Sequence, residues 1–446
     1  MLAPRIAHSE ARLVIEADTG KVLEAENANV PWYPASVTKL MTAYVTLQAV
    51  KDGKLTLDTL LTVSPTAASQ SPSKMGFRPG TQVTVDNALK MMLVKSANDM
   101  AVVLAEGVGG SVDGFSVMMN DTAKRLGMVQ TSYVNPNGLP ADGQITSARD
   151  LAILARSFIK NLPEYEYFVH IPSIRFGKRT TQNFNRLIGR YPGADGFKTG
   201  FICASGYNLV ASATRDGRRL IAVVLGASSG TMRAVRAAQL LDRGFASNGL
   251  AWLRPSLGTV DQLQPLDTSP PNLRDEVCGG KRHKPASDDD DAIVASRTIS
   301  GGNSSAAGDG SNAMFLASGL QAPLPKPSEW LAAAPAPSEP VVVYTGPTRS
   351  GASLIAAVAA DSVSQDASTG KRGKRSRVAR KQEAVDAATK PLDKPAAAKP
   401  AAVRHASAKP DAKPAAAPAD AAAAKPAKPK AAAKPKPKVS DAKPAG

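Results

Sequence analysis

Tyr207-Asn208-Leu209-Val210-Ala211-Ser212-Ala213 and Leu220-Ile221-Ala222-Val223-Val224-Leu225 are two apolar runs joined by a short polar link. Asp216-Gly217 within that link is a hairpin signal, because both residue types tolerate the positive φ of a tight turn. The pair reads as an antiparallel hairpin. Near the other end of the domain, residues 11–27 repeat the pattern, with strand-like runs flanking Asp18-Thr19-Gly20. Between the hairpins the character is helical. Residues 36–50 carry Leu40, Tyr44, Leu47 and Val50 near helical spacing, with Ser36 as the expected N-cap. Residues 86–107, 112–126 and 147–160 read as amphipathic helices, the last with Ser147 as cap and Asp150 at its N3 position. Residues 57–85 alternate Thr and Val with Pro and Gly, as short strands and loops do, and residues 231–246 read as a closing helix. Strands at both ends with helices between predict one antiparallel sheet built from both ends, with a helical region inserted in the middle.

The chain has 446 residues and a formal net charge of +17, unevenly spread. Residues 1–250 carry +8, residues 251–370 carry −5, and residues 371–446 carry +14 from 20 basic against 6 acidic side chains. The last stretch is mostly Ala, Lys and Pro, with imperfect A-K-P repeats that favour extended conformations. It has too few large apolar side chains to offset its ordering entropy. The expected organisation is a stub over residues 1–8, a globular domain over 9–250, a disordered linker over 251–370 and a basic disordered tail over 371–446. Within the linker, Val341-Val342-Val343-Tyr344 is an apolar patch that reads as a strand or a docking segment.

Scarcity excludes other chemistry. Cys203 and Cys278 are the two cysteines, far apart in sequence, so a disulfide framework and a Cys-rich zinc site are ruled out, and Cys203 reads as a packing residue. Of four histidines only His170 lies well inside the domain, so a Ser-His-Asp triad would have to use it. No apolar run reaches the roughly 18–20 residues of a membrane span. The start, Met1 to His8, lacks the apolar core of a signal peptide.

Three motifs remain. In Ser36-Val37-Thr38-Lys39, positions i and i+3 share a helix face, so the lysine amine can reach the serine hydroxyl and serve as its base. Alone the pattern is weak, since S-x-x-K arises by chance in many helices. Ser96-Ala97-Asn98 follows an apolar run, and on a tight turn it can aim a hydroxyl and a carboxamide into one cleft; by itself it would pass for a helix cap. Lys198-Thr199-Gly200 at a strand edge suits a substrate carboxylate, with Gly200 allowing close backbone approach.

In this order the three match the S-x-x-K, S-D-N and K-T-G set of penicillin-binding proteins and class A β-lactamases. The words around them, Pro34 to Ala43, Lys95 to Ala101, Asn137-Gly138-Leu139 and Gly206 to Val210, sharpen the match. Residues 9–250 resemble the low-molecular-weight penicillin-binding proteins, the serine D-alanyl-D-alanine carboxypeptidases of peptidase family S11. The resemblance implies an α/β (α+β) fold of the β-lactamase/transpeptidase type, an antiparallel five-stranded sheet flanked by helices. It implies Ser36 as nucleophile, Lys39 as general base and Ser96 as proton relay. Asn98 would bind the substrate's peptide carbonyl, and Lys198 and Thr199 the terminal carboxylate. The backbone N–H groups of Ser36 and of Phe201, after Gly200, would form the oxyanion hole. No cofactor or metal is implied. The partners would be peptidoglycan stem peptides, with β-lactams as inhibitors that acylate Ser36. Two lysines converging on one buried cleft repel each other, which favours a neutral Lys39.

Some features depart from the family. Its substrate is extracytoplasmic, so a periplasmic or extracytoplasmic location is expected, with the leader encoded upstream of Met1 or already removed. Residues 251–280 are too short for the second β-rich domain of many relatives, and the tail is not amphipathic. The stretch Asn183-Phe184-Asn185 has Phe where an Arg often sits, so either Arg186 compensates or the substrate is held differently. A D,D-endopeptidase cutting crosslinks would use the same centre. A β-lactamase would need a deacylating glutamate, and Glu164 and Glu166 lack the usual E-x-x-L-N setting. The tail could bind an anionic wall polymer or a membrane surface, and nucleic acid is an unlikely partner outside the cytoplasm.

Overall fold

The computed structural model describes residues 10–247, 256–279, 327–332 and 334–363. The stub over residues 1–8 and the basic tail over 371–446 lie outside the described residues.

The hairpin at 207–225 forms. Strands β8 (Gly206–Arg215) and β9 (Arg218–Ala227) pair antiparallel, with Ala211 opposite Ala222 and Asp216 and Gly217 at the turn in positive φ. The first hairpin also forms, from β1 (Ala11–Glu16) and β2 (Val22–Glu26). β1 pairs with β9, and β7 (Ala194–Ile202) pairs with β8, giving a five-stranded antiparallel sheet in the order β2-β1-β9-β8-β7. The ends of the domain therefore meet in one sheet, as expected. Residues Leu220 to Leu225 are fully buried, so the strand is covered on both faces. Helix α6 (Ala148–Asn161) and helix α8 (Gly230–Ala246) pack against β1, β8 and β9. Each starts at a serine whose hydroxyl accepts a backbone N–H, Ser147 from Asp150 and Ser229 from Met232. Such a cap contributes about 1 kcal/mol.

The inserted region holds α1 (Lys39–Lys51), α3 (Val85–Val94), α4 (Asn98–Gly109) and α5 (Val112–Arg125). It also holds the ribbon of β3 (Leu60–Thr62) and β4 (Gln82–Thr84), with the short α2 (Pro65–Ser69) between them. α1 is buried nearly all round, which is why its polar residues Lys39, Thr42 and Thr46 are fully inside the fold.

Four expectations need correction. Ser36 is not an N-cap: it sits inside a 3-10 turn, Ala35–Thr38, that leads into α1. The helix expected over 86–107 is two helices, because Ser96 adopts a positive φ and breaks it between α3 and α4. Cys203 and Cys278 form a disulfide, bringing together residues 75 apart in sequence. A chain that folds back across a sheet edge can join any two cysteines, so sequence distance did not exclude the pair.

The linker reading fails for the described parts of 251–370. Val22 donates to the Gly258 carbonyl and Val260 to that of Gly20, so residues 256–263 lie along the first hairpin with Val260 fully buried. Strand β10 (Val341–Val343) adds in parallel to β5 (Ser173–Phe176), which pairs with β6 (Arg179–Gln182). Tyr344 then donates to Asn87 Oδ1 and Gly346 to the Gln82 carbonyl. Among the described residues, no single helix is long and apolar enough to cross a membrane.

Candidate active site

The turn before α1 is held from the sheet. Asn208 on β8 donates through Nδ2 to the carbonyls of Tyr33 and Pro34, and its Oδ1 accepts from Gly226 N–H. Ala35 takes a positive φ, and the chain turns so that Ser36 faces the free edge of β7. Gly200 on β7 makes this approach possible. A Cβ there would lie 2.8 Å from the Ser36 nitrogen and 2.9 Å from that of Val37. Gly138, at φ +80°, performs the same service on the opposite side, where a Cβ would meet the Ala35 carbonyl oxygen at 1.8 Å. Two glycines thus clamp the serine turn between a strand and a loop.

Lys39 follows one helical turn on and is fully buried. Its Nζ lies 2.8 Å from Ser36 Oγ, 2.7 Å from Asn98 Oδ1 and 2.9 Å from the Asn137 carbonyl oxygen. A neutral amine there can donate its two N–H groups to Asn98 and Asn137 and turn its lone pair to the Ser36 hydroxyl, and burial makes the charged form costly. Asn98 heads α4 just after the Ser96 break, so the left-handed Ser96 aims both side chains inward. Asn98 Nδ2 gives one proton to the Ser71 carbonyl at 2.9 Å, which leaves its second N–H for another acceptor. Beneath them, Asp99 accepts from the backbone N–H groups of Met75, Gly76 and Met100 and ties down the loop at 71–77; burial pushes its carboxyl up.

Ser36, Ser96, Asn98 and Phe201 line one cleft of about 420 Å³. Lys198 and Thr199 precede Gly200 on β7 and do not line this cleft; both are buried, with Lys198 Nζ donating to the Thr199 carbonyl. The structure thus brings Ser36, Lys39, Ser96, Asn98, Gly200 and Phe201 together, with Lys198 and Thr199 next along β7. It adds partners that motif reading left without a role. The Asn137 carbonyl is an acceptor for Lys39, and Asn208 anchors the serine turn. Both stand in quoted motif words, but a backbone carbonyl leaves no residue-type signal. Asn185 donates to the Gly196 carbonyl and so braces β7, while Arg186 donates to Thr231 on α8; neither lines the cleft. Glu164 pairs with Lys51 and Glu166 with Arg219, and neither lines the cleft, so no deacylating glutamate is offered there.

Residues 2–229 match the D-alanyl-D-alanine carboxypeptidase family, peptidase S11. The chain belongs to that family. The S11 domain is 40% identical to D-alanyl-D-alanine carboxypeptidase DacC of Escherichia coli K12 over 245 residues, 53% of this chain and 61% of that one. It is 38% identical to DacF of Bacillus subtilis, covering 54% and 63%. The chain therefore spans about three fifths of the length of these relatives. Among solved structures, penicillin binding protein 5 from Haemophilus influenzae is similar at 35% identity and TM-score 0.52, covering 55% of this chain and 73% of that one. DacD from Francisella tularensis is similar at 34% identity and TM-score 0.51, covering 53% and 70%. The S11 fold expected from the motifs, a five-stranded antiparallel sheet with helices, is the fold observed.

Proposed function

We propose that the protein is a serine-type D-Ala-D-Ala carboxypeptidase that trims peptidoglycan pentapeptides through an acyl-enzyme on Ser36. The observation that carries this is the 2.8 Å contact between Lys39 Nζ and Ser36 Oγ, with the amine fully buried. Neutral Lys39 takes the Ser36 proton as Oγ attacks the carbonyl between the two D-alanines. The resulting oxyanion meets the N–H groups of Ser36 and Phe201, a reading supported by the close packing of Gly200 on the serine turn. Collapse breaks the C–N bond, and the leaving D-alanine amine takes a proton relayed by Ser96. Lys39 then deprotonates water, which hydrolyses the ester and frees the tetrapeptide. Asn98 holds the peptide carbonyl, while Lys198 and Thr199 hold the terminal carboxylate.

The same centre would take β-lactams, which present a reactive carbonyl beside a carboxylate. The similarity to penicillin binding protein 5 supports this reading. The Cys203–Cys278 disulfide supports an extracytoplasmic location, since such bonds persist in oxidising compartments. The test is D-alanine release from a muramyl pentapeptide. Ser36→Ala is expected to lower it by on the order of 10³-fold or more and to abolish covalent labelling by a fluorescent penicillin. Release that survives in Ser36→Ala would overturn the assignment.

A further inference from the structure

A segment outside the family match brings a cation to the cleft. The short helix α9 (Arg274–Cys278) is tied to the end of β7 in two ways. Leu273, itself buried, donates its N–H to the Ala204 carbonyl at 2.9 Å, and Cys278 is bonded to Cys203. The staple leaves Arg274 lining the same cleft as Ser36, Ser96 and Asn98. Arg274 is exposed, and among the described residues no carboxylate pairs with it, although Asp275 and Glu276 follow it in sequence.

The course of a substrate past this cation follows from the proposed carboxypeptidase reading, on which this inference rests. β7 is the edge strand of the sheet, so its free side can pair with an extended peptide. The terminal carboxylate at Lys198 and Thr199 and the scissile carbonyl at Phe201 set the direction. The acyl part of the peptide then runs antiparallel to β7 past Ile202, toward the turn that holds Cys203 and Ala204. An extended chain advances about 3.3 Å per residue. The residue just before the D-Ala-D-Ala pair therefore comes alongside Ile202, the last residue of β7, and a long side chain there can reach the turn at Cys203 and Ala204, where Leu273 is docked and Arg274 begins α9.

We propose that Arg274 is a specificity-determining residue, pairing with a carboxylate on the side chain that precedes the D-Ala-D-Ala unit. The enzyme would then favour stems whose third residue is a diamino acid with a free terminal carboxylate over stems with lysine there. The pair forms in a partly open cleft, which sets the preference at roughly fivefold and makes it salt-sensitive.

The test uses the full chain with its disulfide intact and two pentapeptides that differ only at the third residue, diaminopimelate or lysine. Affinity is measured by calorimetry on the Ser36→Ala protein, and kcat/KM for D-alanine release on the protein with Ser36. The diaminopimelate peptide is expected to be preferred roughly fivefold in both. Arg274→Gln should bring the ratio to one by weakening only that peptide, with the lysine peptide unchanged. Cys203→Ser/Cys278→Ser should also level the ratio. Equal affinities in the parent protein, or a preference that persists in Arg274→Gln, would overturn the proposal. The binding arm needs no turnover, so a preference in binding without D-alanine release would count against the carboxypeptidase reading while supporting the role of Arg274.

Discussion

Asn208 carries no reactive group, yet the serine turn depends on it. Its side chain holds two carbonyls just ahead of Ser36 and one N–H of β9 while fully buried. Asn208→Ala would leave those groups without partners and is expected to cost about 2 kcal/mol of stability, seen as a lower midpoint in denaturant. Penicillin labelling should fall more than stability explains, because the turn that presents Ser36 loosens. Gly200→Ala acts at the same place from the strand side: its Cβ would overlap the Ser36 and Val37 nitrogens. Labelling is expected to drop by at least about tenfold with the far-ultraviolet spectrum intact. His170 carries a pH dependence. Burial holds its imidazole below the ordinary 6.5, against the pull of Asp195 and Glu166 and with the push of Arg219. The unfolded chain then takes up this proton first as pH falls, so this contribution to stability is lost below about pH 6.5. Melting temperatures from pH 7.5 to 5.5 should fall less steeply in His170→Gln.

At the level of elements, the strands and caps were legible because they are written in local chemistry. Asp216-Gly217 can hardly be anything but a turn between apolar runs, and Ser147 caps α6 as its spacing to Asp150 implies. The break at Ser96 was half legible: Ser96-Ala97-Asn98 reads as a tight turn or a cap while the periodicity runs on over 86–107, and nothing in the local residues demands the positive φ that Ser96 takes. The candidate site was legible through residue types alone, Ser36 with Lys39, Ser96 with Asn98, Lys198 with Thr199. Its supports were not, because the Asn137 carbonyl and the Leu273 N–H belong to the backbone. The disulfide was missed, and the partner of the strand read at 341–344 was unforeseen, because both join segments distant in sequence. Replacing both cysteines by serine is expected to cost about 3 kcal/mol, read from the shift in denaturant midpoint between the variant and the oxidised parent.

For the molecule as a whole, the family domain does not end where its motif pattern ends. Residues 256–279 and 341–346 are fastened to it by backbone hydrogen bonds. A proline in β10, Val342→Pro, should disturb the β10–β5 pairing, and limited proteolysis in the 334–350 stretch should speed up while penicillin labelling stays unchanged. The disulfide has a further consequence for the integrity of the chain. It closes a covalent ring from Cys203 to Cys278 that encloses β8, β9 and α8. A protease that nicks the ring separates nothing, because both pieces remain one molecule until a reductant arrives. A cut beyond Gly279 has no such tether. Wear in a protease-rich setting would thus shed the chain beyond Gly279, basic appendage included, while nicked pieces of the 203–278 ring stay joined to the part that carries Ser36.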